Sequence, residues 1–112
     1  METYEIEAWL GDTEITDEQR VALRQAADDL TGRWDDDPDP DREAMTGAAQ
    51  LILGDATPAS LAAEWRQAQR ALDEAHARMT GGIVAYYAAS TELATAEAFG
   101  VTRQTVRKAL GR

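Results

Sequence analysis

The sequence predicts a mainly α-helical fold: a helical bundle with one short N-terminal β-strand or hairpin, a long third helix and a C-terminal unit of three helices. The first observation behind this prediction is the content of 22 alanines, because alanine has the highest helix propensity. The second is that apolar residues recur at helical spacing through most of the 112 residues. Since aromatic residues make up only 6% of the chain, we expect an aliphatic core.

The N-terminal segment alone alternates between apolar and other residues. Tyr4, Ile6, Ala8 and Leu10 occupy every second position, which predicts a short strand with one apolar face. The glycine at position 11 is suited to a turn, after which residues 13–15 are expected to return as a second, very short strand. A lone hairpin is marginally stable in water, so this one must pack on helices or pair with a second copy.

The first two predicted helices are separated by an acidic linker. Thr16 and Gln19 form a capping box before a helix over 17–31. Residues 34–41 hold five aspartates and two prolines, which predicts a solvated linker without helix or strand. These aspartates do not complete an EF-hand calcium loop, because Pro40 and Thr46 stand where glycine and glutamate are required. A second helix is predicted over 42–53.

A third helix is predicted over 58–80, and its apolar residues follow a heptad pattern. Spacings of four and three residues alternate along this seam, as in coiled coils. The seam either packs against the two preceding helices or pairs with a second chain, and in both cases we expect it to be buried. Gly81 and Gly82 are expected to break or kink the helix before a short helix over 83–89. The seam residues are Leu61, Trp65, Ala68, Leu72, Ala75 and Met79.

Composition excludes several classes of protein. The chain has no cysteine and a single histidine, which removes disulfide scaffolds, thiol nucleophiles and histidine-rich metal sites. Its longest uncharged run, residues 79–91, is 13 residues, short of the roughly 20 that span a bilayer. We therefore expect a cytoplasmic protein that does not contact membranes, is not an enzyme and carries no metal or cofactor.

Charge divides the chain in two. The net charge is −10, but residues 1–60 hold 16 acidic and four basic residues, whereas residues 61–112 hold five and seven. The last ten residues carry four positive charges and no acid. We therefore expect an acidic region over 1–80 that dimerises or binds a partner, and a separate basic region over 81–112.

The basic region contains a pattern of small, flexible and apolar residues. Ala96 is followed four residues later by Gly100, where the chain can turn with a positive φ, and Thr102 is placed to cap the next helix. This pattern resembles the helix-turn-helix of phage repressors and of resolvase-like and sigma-like DNA-binding domains. The resemblance assigns the structural positions of the motif to Leu93, Ala96, Phe99, Gly100, Val101, Val106 and Ala109, with Leu110 completing the inner face. Thr95 departs from it, because an apolar residue is more usual there.

The resemblance implies that the second helix of the motif enters the major groove of double-stranded DNA. An arginine side chain can hydrogen-bond to the O6 and N7 atoms of guanine, and a glutamine side chain to the N6 and N7 atoms of adenine. Lys108 and Arg112 are expected to contact phosphates instead. The implied DNA-contacting residues are Thr102, Arg103, Gln104, Thr105, Arg107, Lys108 and Arg112. Because bacterial helix-turn-helix proteins are commonly symmetric dimers, we expect a homodimer.

The sequence thus predicts a small sequence-specific DNA-binding protein, such as a bacterial, plasmid or phage transcriptional regulator or repressor, associated with the nucleoid when bound. The alternative is an adaptor or assembly protein. In that case, the helix-turn-helix and the acidic half would contact other proteins. Binding to bulk DNA that weakens steeply with salt distinguishes the two.

Overall fold

The architecture is that of a helical protein with two compact units. A computed structural model describes residues 1, 5–35 and 37–112, and these residues form helices but no strand. One unit comprises Met1–Glu64 and the other Trp65–Arg112, so that the long helix α4 contributes to both. Within the described part of the chain, no helix is both long and apolar enough for a membrane span. The helices are α1 (Ile6–Leu10), α2 (Asp17–Leu30), α3 (Pro38–Ile52), α4 (Pro58–Tyr87), α5 (Glu92–Phe99) and α6 (Arg103–Ala109).

The predicted N-terminal strand is wrong over the described residues, where the chain forms α1; Tyr4 lies outside them. Ile6 is fully buried and Leu10 half-buried, while the alternating residue between them, Ala8, is exposed. Residues four apart share one face of a helix, so the same two apolar side chains satisfy a helical pattern. The expected return strand is also absent from the described structure, because residues 13–15 form neither strand nor helix.

Exposed ion pairs join α1 to α2. The Glu7 carboxylate accepts hydrogen bonds from the guanidinium groups of Arg20 and Arg24, the latter at 3.3 Å. The hydrogen bond from Arg20 is the main reason why the pKa of Glu7 lies below its ordinary value. Because exposed ion pairs contribute little stability, α1 is held mainly by the burial of Ile6.

The capping box predicted before α2 is present. The Thr16 hydroxyl accepts from the Gln19 amide at 3.1 Å, and the Gln19 side chain accepts from the Thr16 amide at 2.9 Å. Both contacts satisfy backbone donors that have no partner inside the helix. α2 therefore begins where the sequence predicts and ends at Leu30, close to the expected boundary.

The predicted linker over 34–41 is wrong in its second half, because α3 already begins at Pro38. Pro38 and Pro40 occupy the first and third helical positions, where the missing N–H groups have no partner inside a helix anyway. Asp37 caps the helix by accepting from the Asp39 amide at 3.2 Å. The prolines and aspartates that suggested a linker thus form a favourable first turn.

The N-terminal unit has one small core. Its buried side chains come from the first three helices, and Ile15 and Leu30 are among the half-buried residues packed around them. Alanine is over-represented here, which allows α2 and α3 to approach closely. The buried core residues are Ile6, Leu23, Ala27, Met45 and Ala49.

The predicted break at Gly81 and Gly82 does not occur, since α4 is one helix of 30 residues. That length corresponds to about 45 Å. A Cβ atom at Gly82 would lie 3.4 Å from the Phe99 ring. Gly82 therefore faces α5, where a methyl group would make ordinary contact with the ring, whereas Gly81 has open space around it.

Of the two alternatives for the heptad seam, packing against the preceding helices of the same chain is not observed. Trp65 and Leu72 are each 66% exposed and Met79 is 37% exposed. Ala68 and Ala75 are exposed as well, and only Leu61 is half-buried. Every residue from 63 to 79 is exposed, so this part of α4 contributes nothing to either core within one chain.

The role of α1 is tested by shortening Ile6. Ile6→Ala is expected to destabilise the N-terminal unit by about 2–5 kcal/mol, because it leaves a cavity at a fully buried position. The matched control is Val21→Ala on the exposed surface of α2, which is expected to change stability by less than about 0.5 kcal/mol. Urea denaturation followed by tryptophan fluorescence measures both. Equal effects of the two substitutions would contradict the docking of α1.

Candidate nucleic-acid interface

One side chain from each of three helices forms the core of the C-terminal unit. Ile83 of α4, Ala96 of α5 and Val106 of α6 are buried. These contacts place α6 against both preceding helices, as the sequence predicts for Ala96 and Val106. The half-buried residues around them are Phe99, Val101, Ala109 and Leu110.

Two positions of α5 differ from the expected inner face. Leu93 is 53% exposed, so its assignment to the inner face is wrong. The inner face is defined by Thr95, Ala96 and Phe99. Glu92 lies on the same face, one helical turn earlier. Leu93 is rotated by about 100° from Glu92, which turns it to solvent. Thr95 is fully buried, and its hydroxyl is satisfied because it donates to the Thr91 carbonyl at 2.6 Å.

A three-residue turn joins α5 to α6. Gly100 adopts φ 65° and ψ 34°, the left-handed conformation that glycine favours. The amide of Val101 then donates to the Ala96 carbonyl at 3.0 Å. Thr102 caps α6 by accepting from the Thr105 amide at 3.1 Å. Gly100 and Thr102 therefore have the local geometry that the sequence predicts for them.

The predicted DNA-contacting residues are exposed, and they differ in their contacts. The hydroxyls of Thr102 and Thr105 lie 3.0 Å apart and are engaged at the cap of α6. Arg112 donates to the Tyr87 hydroxyl at 3.3 Å and lies over that ring. In the part of the chain that the structure describes, the side chains of Gln104 and Lys108 make no hydrogen bond or ion pair. The exposed set is Thr102, Arg103, Gln104, Thr105, Arg107, Lys108 and Arg112.

Glu92 binds two of these arginines and was missed by the sequence analysis. Its Oε1 atom accepts from Nε of Arg103 at 2.8 Å. Arg107 donates from Nε to Oε2 at 3.0 Å, and its Nη2 atom lies 2.9 Å from Oε1 in an ion pair. Glu92 thereby links the first turn of α5 to two successive turns of α6. The sequence held one signal for this contact, because Glu92 lies four residues before Ala96 and therefore on the inner face of α5.

The electrostatics of this contact follow from its geometry. The hydrogen bonds from Arg107 and then Arg103 lower the pKa of the Glu92 carboxyl. The same contact raises the pKa of Arg107. Both groups are therefore charged at neutral pH, and the Glu92 carboxylate balances part of the charge of α6.

The C-terminal unit as a whole is positively charged. Residues 65–112 hold seven basic and four acidic residues, a net charge of +3. Residues 1–64 hold four basic and 17 acidic residues, a net charge of −13. The described residues contain no group of three or more metal-ligating side chains. The charge of the chain is thus strongly segregated, with most acidic residues in the N-terminal unit.

The turn is tested by a pair of glycine substitutions with opposite expected signs. Gly100→Val is expected to destabilise the C-terminal unit by about 1–3 kcal/mol, because a β-branched residue is strained at positive φ. Gly81→Ala is the control and is expected to stabilise α4 by about 0.5–1 kcal/mol, since its Cβ has open space. Hydrogen exchange at the amides of α5 and α6 measures the first effect. Parent-like protection in Gly100→Val would rule out this turn.

The Glu92 contact is tested by its pH dependence. Because the pKa of Glu92 is lowered in the folded protein, its ion pairs contribute fully above the ordinary glutamate pKa of about 4.3. The contribution is lost as the pH falls through the lowered value. Glu92→Gln should therefore melt below the parent at neutral pH and match it in acid. Glu97→Gln on the same helix removes an equal charge and should melt like the parent at neutral pH. A Glu92→Gln deficit that persists unchanged into acid would contradict the ion-pair account.

Comparison of the chain with protein-family models, with curated proteins and with solved structures found no match. The most distinctive features of the C-terminal unit are the left-handed turn at Gly100 and the exposed basic side chains of α6.

Proposed function

We propose that the chain is a small sequence-specific DNA-binding protein, and that α6 is the helix that enters the major groove. The observation that carries this proposal is the exposed basic face of α6, which is held in a three-helix unit by Ile83, Ala96 and Val106. A transcriptional regulator acting as a homodimer is the biological role most consistent with such a unit.

The Glu92 contact suggests different roles for the two arginines. Arg103 donates its Nε–H to Glu92, and among the described residues its Nη groups have no hydrogen-bond partner, which leaves them for the O6 and N7 atoms of guanine. Arg107 donates Nε to the same carboxylate and also holds Nη2 in an ion pair with it, so that fewer of its donors face solvent. We therefore assign base contact to Arg103 and phosphate contact to Arg107. Glu92 pre-orients both side chains, which lowers the entropy lost on binding.

The proposed DNA-contacting face of α6 also includes two polar side chains that have no partner within the described residues. Gln104 has the amide geometry that pairs with the N6 and N7 atoms of adenine. Lys108, one turn later, is a flexible point charge suited to phosphate. Both side chains reach DNA without first breaking a contact within the described structure, unlike Arg112, which lies on Tyr87.

Binding measurements on α6 variants test the proposal, after selection of bound duplexes from random DNA. Arg103→Ala and Gln104→Ala are each expected to cost about 1–3 kcal/mol on the selected site and to relax its sequence. Lys108→Ala should weaken all sequences alike and reduce the salt dependence by about one counterion. Arg33→Ala removes an exposed charge that lies outside α4 and α6 and should change little.

Salt dependence distinguishes this proposal from the adaptor alternative. Affinity for bulk DNA should fall steeply as salt rises, because neutralised phosphates release counterions. Binding that is absent at low salt, or that is reduced equally by Arg33→Ala and Lys108→Ala, would contradict a DNA-binding role for α6. In that case we would assign the interface to the acidic N-terminal unit, whose net charge of −13 is suited to a basic protein partner.

A further inference from the structure

We propose that the exposed seam of α4 is the site at which a second copy of this chain binds, and that the two α4 helices pair antiparallel about residue 70. This inference deepens the dimer part of the proposed function and does not depend on DNA binding. It starts from an unusual exposure: Trp65 and Leu72 lie on one face of a single helix and are each 66% exposed. Contiguous apolar surface of this kind commonly marks a protein–protein contact.

Large and small residues alternate strictly along the seam. In heptad terms one core position holds Trp65, Leu72 and Met79, and the other holds Leu61, Ala68 and Ala75. Between 65 and 79, a large side chain is thus always followed by an alanine and then by another large side chain. Leu61, at the N-terminal end, breaks this size rule and is already half-buried.

This alternation selects the orientation of the partner helix. In a parallel pair each core position meets itself, so Trp65 would face Trp65 and Ala68 would face Ala68, producing crowded and empty layers in turn. In an antiparallel pair the two core positions meet each other. Trp65 then packs on Ala75 of the second copy and Leu72 on Ala68, which gives layers of similar volume. The antiparallel pair is therefore expected to be more stable than the parallel one, because its core is evenly packed.

The charges beside the seam select the register. When the two helices cross at residue 70, Glu64 of one copy lies beside Arg78 of the other, and the symmetry makes two such pairs. Within one chain the two residues are 14 positions, or about 21 Å, apart and cannot pair. Both side chains are exposed, and neither has an ion pair within the described structure. Sliding the helices by one heptad, or making them parallel, places no opposite charges together.

Single cysteines test the arrangement directly, because the chain contains none. Ala71 lies beside the proposed two-fold axis, whereas the two copies of Ala75 would be separated by about 15 Å along the helix axis. Both alanines are exposed in one chain, so either substitution should be tolerated. With a bismaleimide too short to span 15 Å, Ala71→Cys should cross-link to a covalent dimer and Ala75→Cys should not.

The cross-linking results distinguish a wrong register from a wrong interface. Efficient cross-linking of Ala75→Cys, alone or together with Ala71→Cys, would overturn the antiparallel register. Failure of both variants, or sedimentation of the parent protein as a monomer at micromolar concentration, would overturn the interface itself. All measurements are made on the full chain without DNA. A chain that dimerises as described but does not bind DNA would therefore contradict only the proposed function.

Two further variants separate an interface from a structural role. Leu72→Glu should yield a folded monomer with parent-like helix content, because Leu72 is already exposed in one chain; an unfolded protein or an intact dimer would contradict the proposal. Glu64→Arg should shift the monomer–dimer midpoint to higher concentration, and adding Arg78→Glu should restore it. Failure of the double variant to recover would rule out the proposed charge pairs.

Discussion

The C-terminal unit depends on the packing of Val106 between Ile83 and Ala96. Ala96 has only a methyl group, which lets α6 approach α5 closely, and Val106 is fully buried in the space that results. Because a core of three buried side chains is small, each contact carries a large share of the stability of the unit. The direction of every exposed side chain on α6, and with it the proposed DNA contact, follows from where Val106 is held.

Glu92 connects the apolar core of this unit to the charged side chains of α6. It lies on the same side of α5 as Ala96 but at the edge of the core, where its carboxylate meets two guanidinium groups of α6. An exposed ion pair contributes little stability by itself. Its more important effect here is to orient Arg103 and Arg107 before any ligand binds, so that one arginine keeps both terminal amino groups free.

Sequence reasoning located the elements whose signals are local. The capping residues Thr16 and Thr102 and the left-handed Gly100 each act within a few positions of the chain, and each has the expected geometry. Where a sequence pattern fits two different structures, the prediction was wrong. Ile6 and Leu10 satisfy both a two-residue and a four-residue repeat, and the prolines at 38 and 40 fit a first helical turn as well as a linker.

Other features required contacts between distant residues. α4 continues through Gly82, which faces the Phe99 ring, and no local rule indicates that partner. The Glu92 contact joins residues 11 and 15 positions apart, across the turn. The exposure of Trp65 and Leu72 also could not be inferred, since a heptad pattern is the same whether its partner is within the chain or in a second copy.

The proposed DNA contact of α6 can be located residue by residue by nuclear magnetic resonance of the full ¹⁵N-labelled chain. On addition of a selected duplex, amide and arginine Nε shifts are expected to concentrate at 102–108. The Nε signal of Arg103 should move with them, while α1, α2 and α3 remain unchanged. Shifts confined to the acidic N-terminal unit, or no shifts at low salt, would contradict the assignment of α6.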